Sequence, residues 1–74
     1  MNWQDYIEEK PDVMTGKPVF KNTRITVEHV LEELGSGTTE AELLRGHPRI
    51  TAEHLRAAMA YAAALLHRDE TVFK

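Results

Sequence analysis

The residues of this chain that could do chemistry are histidines, carboxylates and a single serine. His29 and Glu33 stand one helical turn apart, a spacing open to three readings: a metal pair, an acid–base pair or a salt-bridged helix surface. Glu28 and Glu32 repeat that spacing. The four histidines, His29, His47, His54 and His67, form no close ligand pattern such as H-x-x-x-H. No cysteine is present as a thiolate ligand or nucleophile. Ser36 lies in a "GSG" turn that lacks a nucleophile elbow, and "GTT" at 37–39 lacks the lysine and upstream glycine of a phosphate loop. His67 falls near a helix end, where the dipole favours a cation. The expectation is a binding protein rather than an enzyme, with no catalytic residue, no metal and no cofactor, and with His29 and Glu33 as a solvent-facing ionic pair.

Length limits what can position such residues. Seventy-four residues make a single domain, 1–74. A chain of this size buries only about 60% of the surface its unfolded state exposes, so it sits near the stability limit. Disulfides are ruled out by composition, which leaves self-association as the favoured staple, and a homodimer is expected. No apolar run approaches the length of a membrane span, and "MNWQDYIEEK" is polar and acidic, unlike a signal peptide, so a cytoplasmic location is expected.

The net charge is −3, which argues against bulk nucleic-acid affinity. Its distribution is uneven. Residues 13–27 hold Lys17, Lys21 and Arg24 with no acid, and residues 43–52 hold Arg45, His47 and Arg49 with no acid. A folded dimer could therefore present a basic face, although ordinary solvated side chains would give the same pattern.

The elements follow from local chemistry. Tyr6 and Ile7 read as a short strand or an anchor, and "PDVMTGKP" as turn material. "PVF" and "TRI" read as two strands of a hairpin turning at Lys21 and Asn22, because asparagine tolerates positive φ. Thr26 is the expected N-cap of a first helix, with Ile25 and Val30 as its hydrophobic staple. Val27, Val30, Leu31 and Leu34 give that helix one apolar stripe, and Gly35 is its expected left-handed cap. Thr39 and Glu42 have capping-box spacing at the start of a second helix, whose Ala41 and Leu44 should point inward with help from Leu43. Gly46 and Pro48 end it. Thr51 caps a third helix, Ile50 staples to Leu55, and the expected stripe is Leu55, Met59, Ala62 and Leu66.

Residues 1–26 thus form an arm and hairpin, 27–67 a three-helix core and 68–74 a tail. The first two helices resemble a helix-turn-helix, which would lay "TEAELLRG" in the major groove. The DNA-facing candidates are Thr38, Thr39, Arg45 and Arg49. Glu40 and Glu42 on the same helix oppose phosphate contact, so the pattern supports the tri-helical fold better than it supports DNA binding. Candidates for a partner or dimer contact are Phe20, Arg24, Ala60, Ala63, Ala64, Val72 and Phe73. Arg24 has a structural alternative, an ion pair with Asp12 or Glu28.

At "PDVMTGKPVFKNTRITVEHVLEELGSGTTEAELLRGHPRITAEHLRAAMAYAA" the chain resembles the bacterial and archaeal domain-of-unknown-function family four hundred and thirty-three. The pattern is Gly-x-Pro-hydrophobic, a Gly-Thr-Arg-Ile turn, a Val-led helix, a Leu-x-x-Gly turn and an hP-x-hydrophobic-T step before an Ala-rich helix. Gly16, Pro18, Thr23, Arg24, Ile25, Val27, Leu34, Gly37, Pro48, Thr51 and Ala62 fall on it, across roughly residues 7–66. Asn22 stands where the family has Gly, and positive φ explains both choices. The resemblance implies a mainly α, homeodomain-like three-helix bundle with a helix-turn-helix and a short N-terminal β-hairpin. It also implies an antitoxin of a type II toxin–antitoxin pair. Such a protein neutralises a PIN-like ribonuclease by direct binding and represses its own operon through the helix-turn-helix. The other reading is a protein-interaction adaptor that binds no DNA.

Overall fold

The structure is a computed structural model that describes residues 1–68. It is mainly helical, with a small two-stranded antiparallel sheet ahead of three helices. Strand β1 is Ile7–Glu8 and β2 is Val19–Phe20, and helices α1, α2 and α3 are Val27–Gly35, Glu40–Gly46 and Ala52–Arg68. Short 3-10 turns at Trp3–Asp5 and Met14–Gly16 flank the strands.

The hairpin expected between "PVF" and "TRI" is present only as a short pairing, with the Phe20 N–H donating to the Ile25 carbonyl at 3.0 Å. The longer ladder of Val19–Phe20 is with the N-terminal arm, Ile7 opposite Phe20 and Glu8 opposite Val19. The return leg after Asn22 makes one bridge, Val19 to Thr26. Local bonds explain its shortness. The Thr23 N–H and hydroxyl both donate to the Phe20 carbonyl, and the Ile25 N–H donates to the Thr23 hydroxyl at 3.0 Å. One residue beyond Ile25, Thr26 is already committed to capping α1. Asn22 takes a φ of 64°, as the turn requires.

The Thr26 hydroxyl accepts the His29 N–H at 3.0 Å, which starts α1. Its end lies two residues later than expected. Gly35 is helical, and the left-handed residue is Gly37, with φ of 103°. The Gly37 N–H donates to the Leu34 carbonyl and the Thr38 N–H to the Glu33 carbonyl, the two bonds of a Schellman motif. Helix α2 opens on a complete capping box: the Glu42 N–H donates to the Thr39 hydroxyl and the Thr39 N–H to the Glu42 carboxylate. The residue that α2 buries is Leu43, while Leu44 is half-buried and Ala41 faces solvent.

Helix α3 is rotated from the expected face. It buries Leu55, Ala57, Ala58 and Tyr61, whereas Met59 is 47% and Leu66 67% exposed. The N-terminal arm decides this. Trp3 packs edge-on against Tyr61 at 4.8 Å, and the Tyr61 hydroxyl donates to the Glu9 carboxylate at 3.0 Å. Ala57 and Ala58 have no side chain large enough to hold the arm off. The core joins Ile7, Phe20, Val27, Val30, Leu43, Ile50 and Leu55 with these α3 residues. Among the described residues no side-chain nitrogen or oxygen is buried without a hydrogen-bond partner.

Candidate functional site

Helix α1 packs against both α2 and α3, and a distinct surface lies on each of its flanks. Toward α3, Val27 and Leu31 join Tyr61, Ala62 and Leu65 in an apolar groove of about 520 Å³. Pro18 closes one side, and Glu28 and Glu32 are the charged groups on its wall. Glu28 pairs with Lys17 at 3.2 Å and not with Arg24. Arg24 itself makes no ion pair among the described residues.

Toward α2, the His29 Nε2 lies 2.9 Å and the His47 Nε2 3.4 Å from one oxygen of Glu33. The two rings meet edge to face, 5.8 Å between centroids. Their placement has a local origin. His29 and Glu33 are one turn apart on α1, and His47 is the C-cap of α2, where the Schellman turn and the capping box fold α2 back along α1. Sequence spacing missed this group, because His47 is fourteen residues from Glu33 and only the packing of α2 brings it close. The contact expected between His29 and Glu33 is present, with a third member.

A second, charged groove of about 570 Å³ lies beside the hairpin. Lys10, Arg24 and Arg49 line it with Glu8, which pairs to Lys10 at 3.7 Å. It draws one residue from the DNA-facing candidates and one from the partner candidates. Thr39 spends its hydroxyl and N–H on the capping box, and Thr38 spends its N–H on the Schellman motif. Arg45 is exposed in the last turn of α2, and Arg49 lies beyond that helix. The N-terminal turn of α2 carries Glu40 and Glu42. The Thr39 N–H, followed by its hydroxyl, holds the Glu42 carboxyl below its ordinary range, so the charge persists at neutral pH.

Among the partner candidates, Phe20 is fully buried and belongs to the core, because its strand pairs with Ile7 of the same chain. Ala60 and Ala64 are half-buried, and Ala63 is exposed. Val72 and Phe73 lie outside the described residues.

The third histidine environment is structural. His54 Nδ1 accepts the Thr51 N–H at 3.0 Å, taking the place of the carboxylate in a capping box. The ring packs edge-on against Tyr6 and Phe20. Burial lowers its pKa below the ordinary imidazole value, an effect that the nearby Glu53 charge opposes.

Residues 7–62 match the family described as protein of unknown function (DUF433). The chain belongs to the DUF433 family. A DUF433 member protein from Anabaena variabilis ATCC 29413, known from its crystal structure, superposes with a TM-score of 0.80 at 32% identity, over 96% of this chain and 71% of that one. The uncharacterized protein y4eO of Sinorhizobium fredii is 31% identical over 61 residues, 82% of this chain. This DUF433 chain spans 28% of the length of that curated relative. No described helix is long and apolar enough to cross a membrane.

Proposed function

We propose that this DUF433 chain is an antitoxin-like binding protein, and that its α1–α3 groove receives an apolar segment of a PIN-like ribonuclease. The partner class comes from the family resemblance. The observation that carries the docking role is the groove itself, where half-buried Leu31, Ala62 and Leu65 present apolar surface between two helices over a floor of buried Val27 and Tyr61. Its acidic edge, Glu28 and Glu32, and the chain's net charge of −3 complement a surface built to hold RNA phosphates.

Affinity capture of the tagged chain from its host, with identification of what accompanies it, tests this reading. A nuclease of the PIN type in equal amount, inhibited in an RNA-cleavage assay, is the expected result. Leu31→Asp, at a half-buried groove position, should weaken that inhibition more than about tenfold. Capture of a partner with no nuclease activity would move the reading to a protein-interaction adaptor.

Operon repression through a homeodomain-like helix-turn-helix is the weaker half of the proposal, since α2 offers Arg45 to phosphate but presents Glu40 and Glu42 beside it. Promoter binding at low salt, reduced in Arg45→Ala, would support it, and no binding at low salt would remove it. Self-association belongs to the same reading. It is supported by the exposure of Met59, Ala63 and Leu66 along the outer side of α3, and sedimentation velocity reads it directly.

A further inference from the structure

We propose that His29, Glu33 and His47 form a binding site for one divalent transition metal of the zinc class. The three ligand atoms already converge, all within 4.8 Å of one another. Zinc bonds of about 2.0–2.1 Å at tetrahedral angles place neighbouring ligand atoms about 3.3 Å apart. The two imidazole–carboxylate separations, 2.9 and 3.4 Å, bracket that value. The remaining separation, between the two imidazole nitrogens, has to close by about 1.5 Å at most. His29 has the freedom to do so, because its side chain is 54% exposed, whereas Glu33 and His47 are held at 27% and 22%.

The donor set selects the metal. Two imidazoles and one carboxylate suit Zn²⁺, Co²⁺ or Ni²⁺, whereas Mg²⁺ and Ca²⁺ take oxygen ligands. Glu33 forms no ion pair with a lysine or arginine among the described residues, so no fixed cation has to be displaced. The metal takes the neutral imidazole, with its proton on Nδ1 and the Nε2 lone pair free. Three protein ligands leave one position for water or an external group.

The site would also do mechanical work. It ties α1 to the turn between α2 and α3, in a small chain that has no cysteine for a disulfide.

The test uses the 74-residue chain without a polyhistidine tag, stripped with chelator and titrated with ZnCl₂ by calorimetry and with CoCl₂ by visible absorption. One equivalent of zinc and a cobalt d–d band are expected. His29→Ala and His47→Ala should each weaken zinc binding more than about tenfold, since losing even a supporting residue of a metal site costs about 10- to 100-fold. His67→Ala should leave binding unchanged. His29 is exposed, so its variant folds, and circular dichroism checks the His47 variant. Absence of zinc heat and of the cobalt band in the folded chain would overturn the proposal, and so would binding that both His29→Ala and His47→Ala leave intact.

Discussion

Helix α1 separates two surfaces of opposite character. On the α3 side, Leu31 opens onto an apolar groove that it shares with Ala62 and Leu65. On the α2 side, His29 and Glu33 meet His47 in a polar cluster. One nine-residue helix supplies both. At about 100° per residue, Val27, Val30 and Leu34 point at the core, Leu31 falls to one side of that stripe, and His29 and Glu33 fall to the other. The difference sets what each flank can hold. Apolar area gives non-directional affinity and fits a protein surface. Converging donor atoms give directional affinity and fit an ion. The flanks also rest on different supports, α3 for the groove and α2 for the cluster, so they should fail separately.

The largest effect comes from removing the support of the polar flank. Leu43 is the residue by which α2 enters the core, at 1% exposure. Leu43→Ala should cost about 2–5 kcal/mol, read from the urea midpoint, a large share of the margin of so small a domain. It should also disperse His47 from Glu33 while the groove side chains on α1 and α3 keep their places. Thr39→Ala is the milder version. It removes the hydroxyl that accepts the Glu42 N–H and should cost about 1 kcal/mol, with a matching loss of α2 protection in hydrogen exchange.

The smallest effect acts at the start of α3, the helix that supports the groove, and is read with pH. His54 must be neutral to accept the Thr51 N–H at Nδ1, and burial lowers its pKa in the fold. The unfolded chain, titrating at about 6.5, then binds the proton more readily than the folded one. Stability from this group is therefore complete above about pH 6.5 and is lost as pH falls toward the folded pKa. His54→Gln should flatten that decline in unfolding midpoints measured across the window. Glu42, whose pKa is also lowered, adds a further decline only below about pH 4.3.

What was legible in the sequence was local. Thr26 and Thr39 cap the helices that their spacing assigns to them, and Asn22 takes the left-handed turn, because each device is completed within three residues. Features set at long range were not legible. Val19–Phe20 pairs along one edge with Ile7–Glu8, far away in sequence, and only briefly along the other with its near neighbour. The face of α3 was chosen by Trp3, some fifty residues earlier, against a stripe that Met59 and Leu66 made equally plausible. Leu43 displaced Ala41 at the core because one short helix has room for a single central side chain. The groove could not be read at all, since it exists only between two packed helices. His47 carried no spacing signal, and only the α1–α2 turn explains why it reaches Glu33.

The most direct test of the docking role is a titration of RNA cleavage by the captured nuclease with wild-type chain and with Leu31→Asp. Inhibition by the wild type at a one-to-one ratio is expected, with a curve displaced more than about tenfold for the variant and the two proteins equally folded by circular dichroism. Equal inhibition by both, or none by the folded wild type, would contradict it.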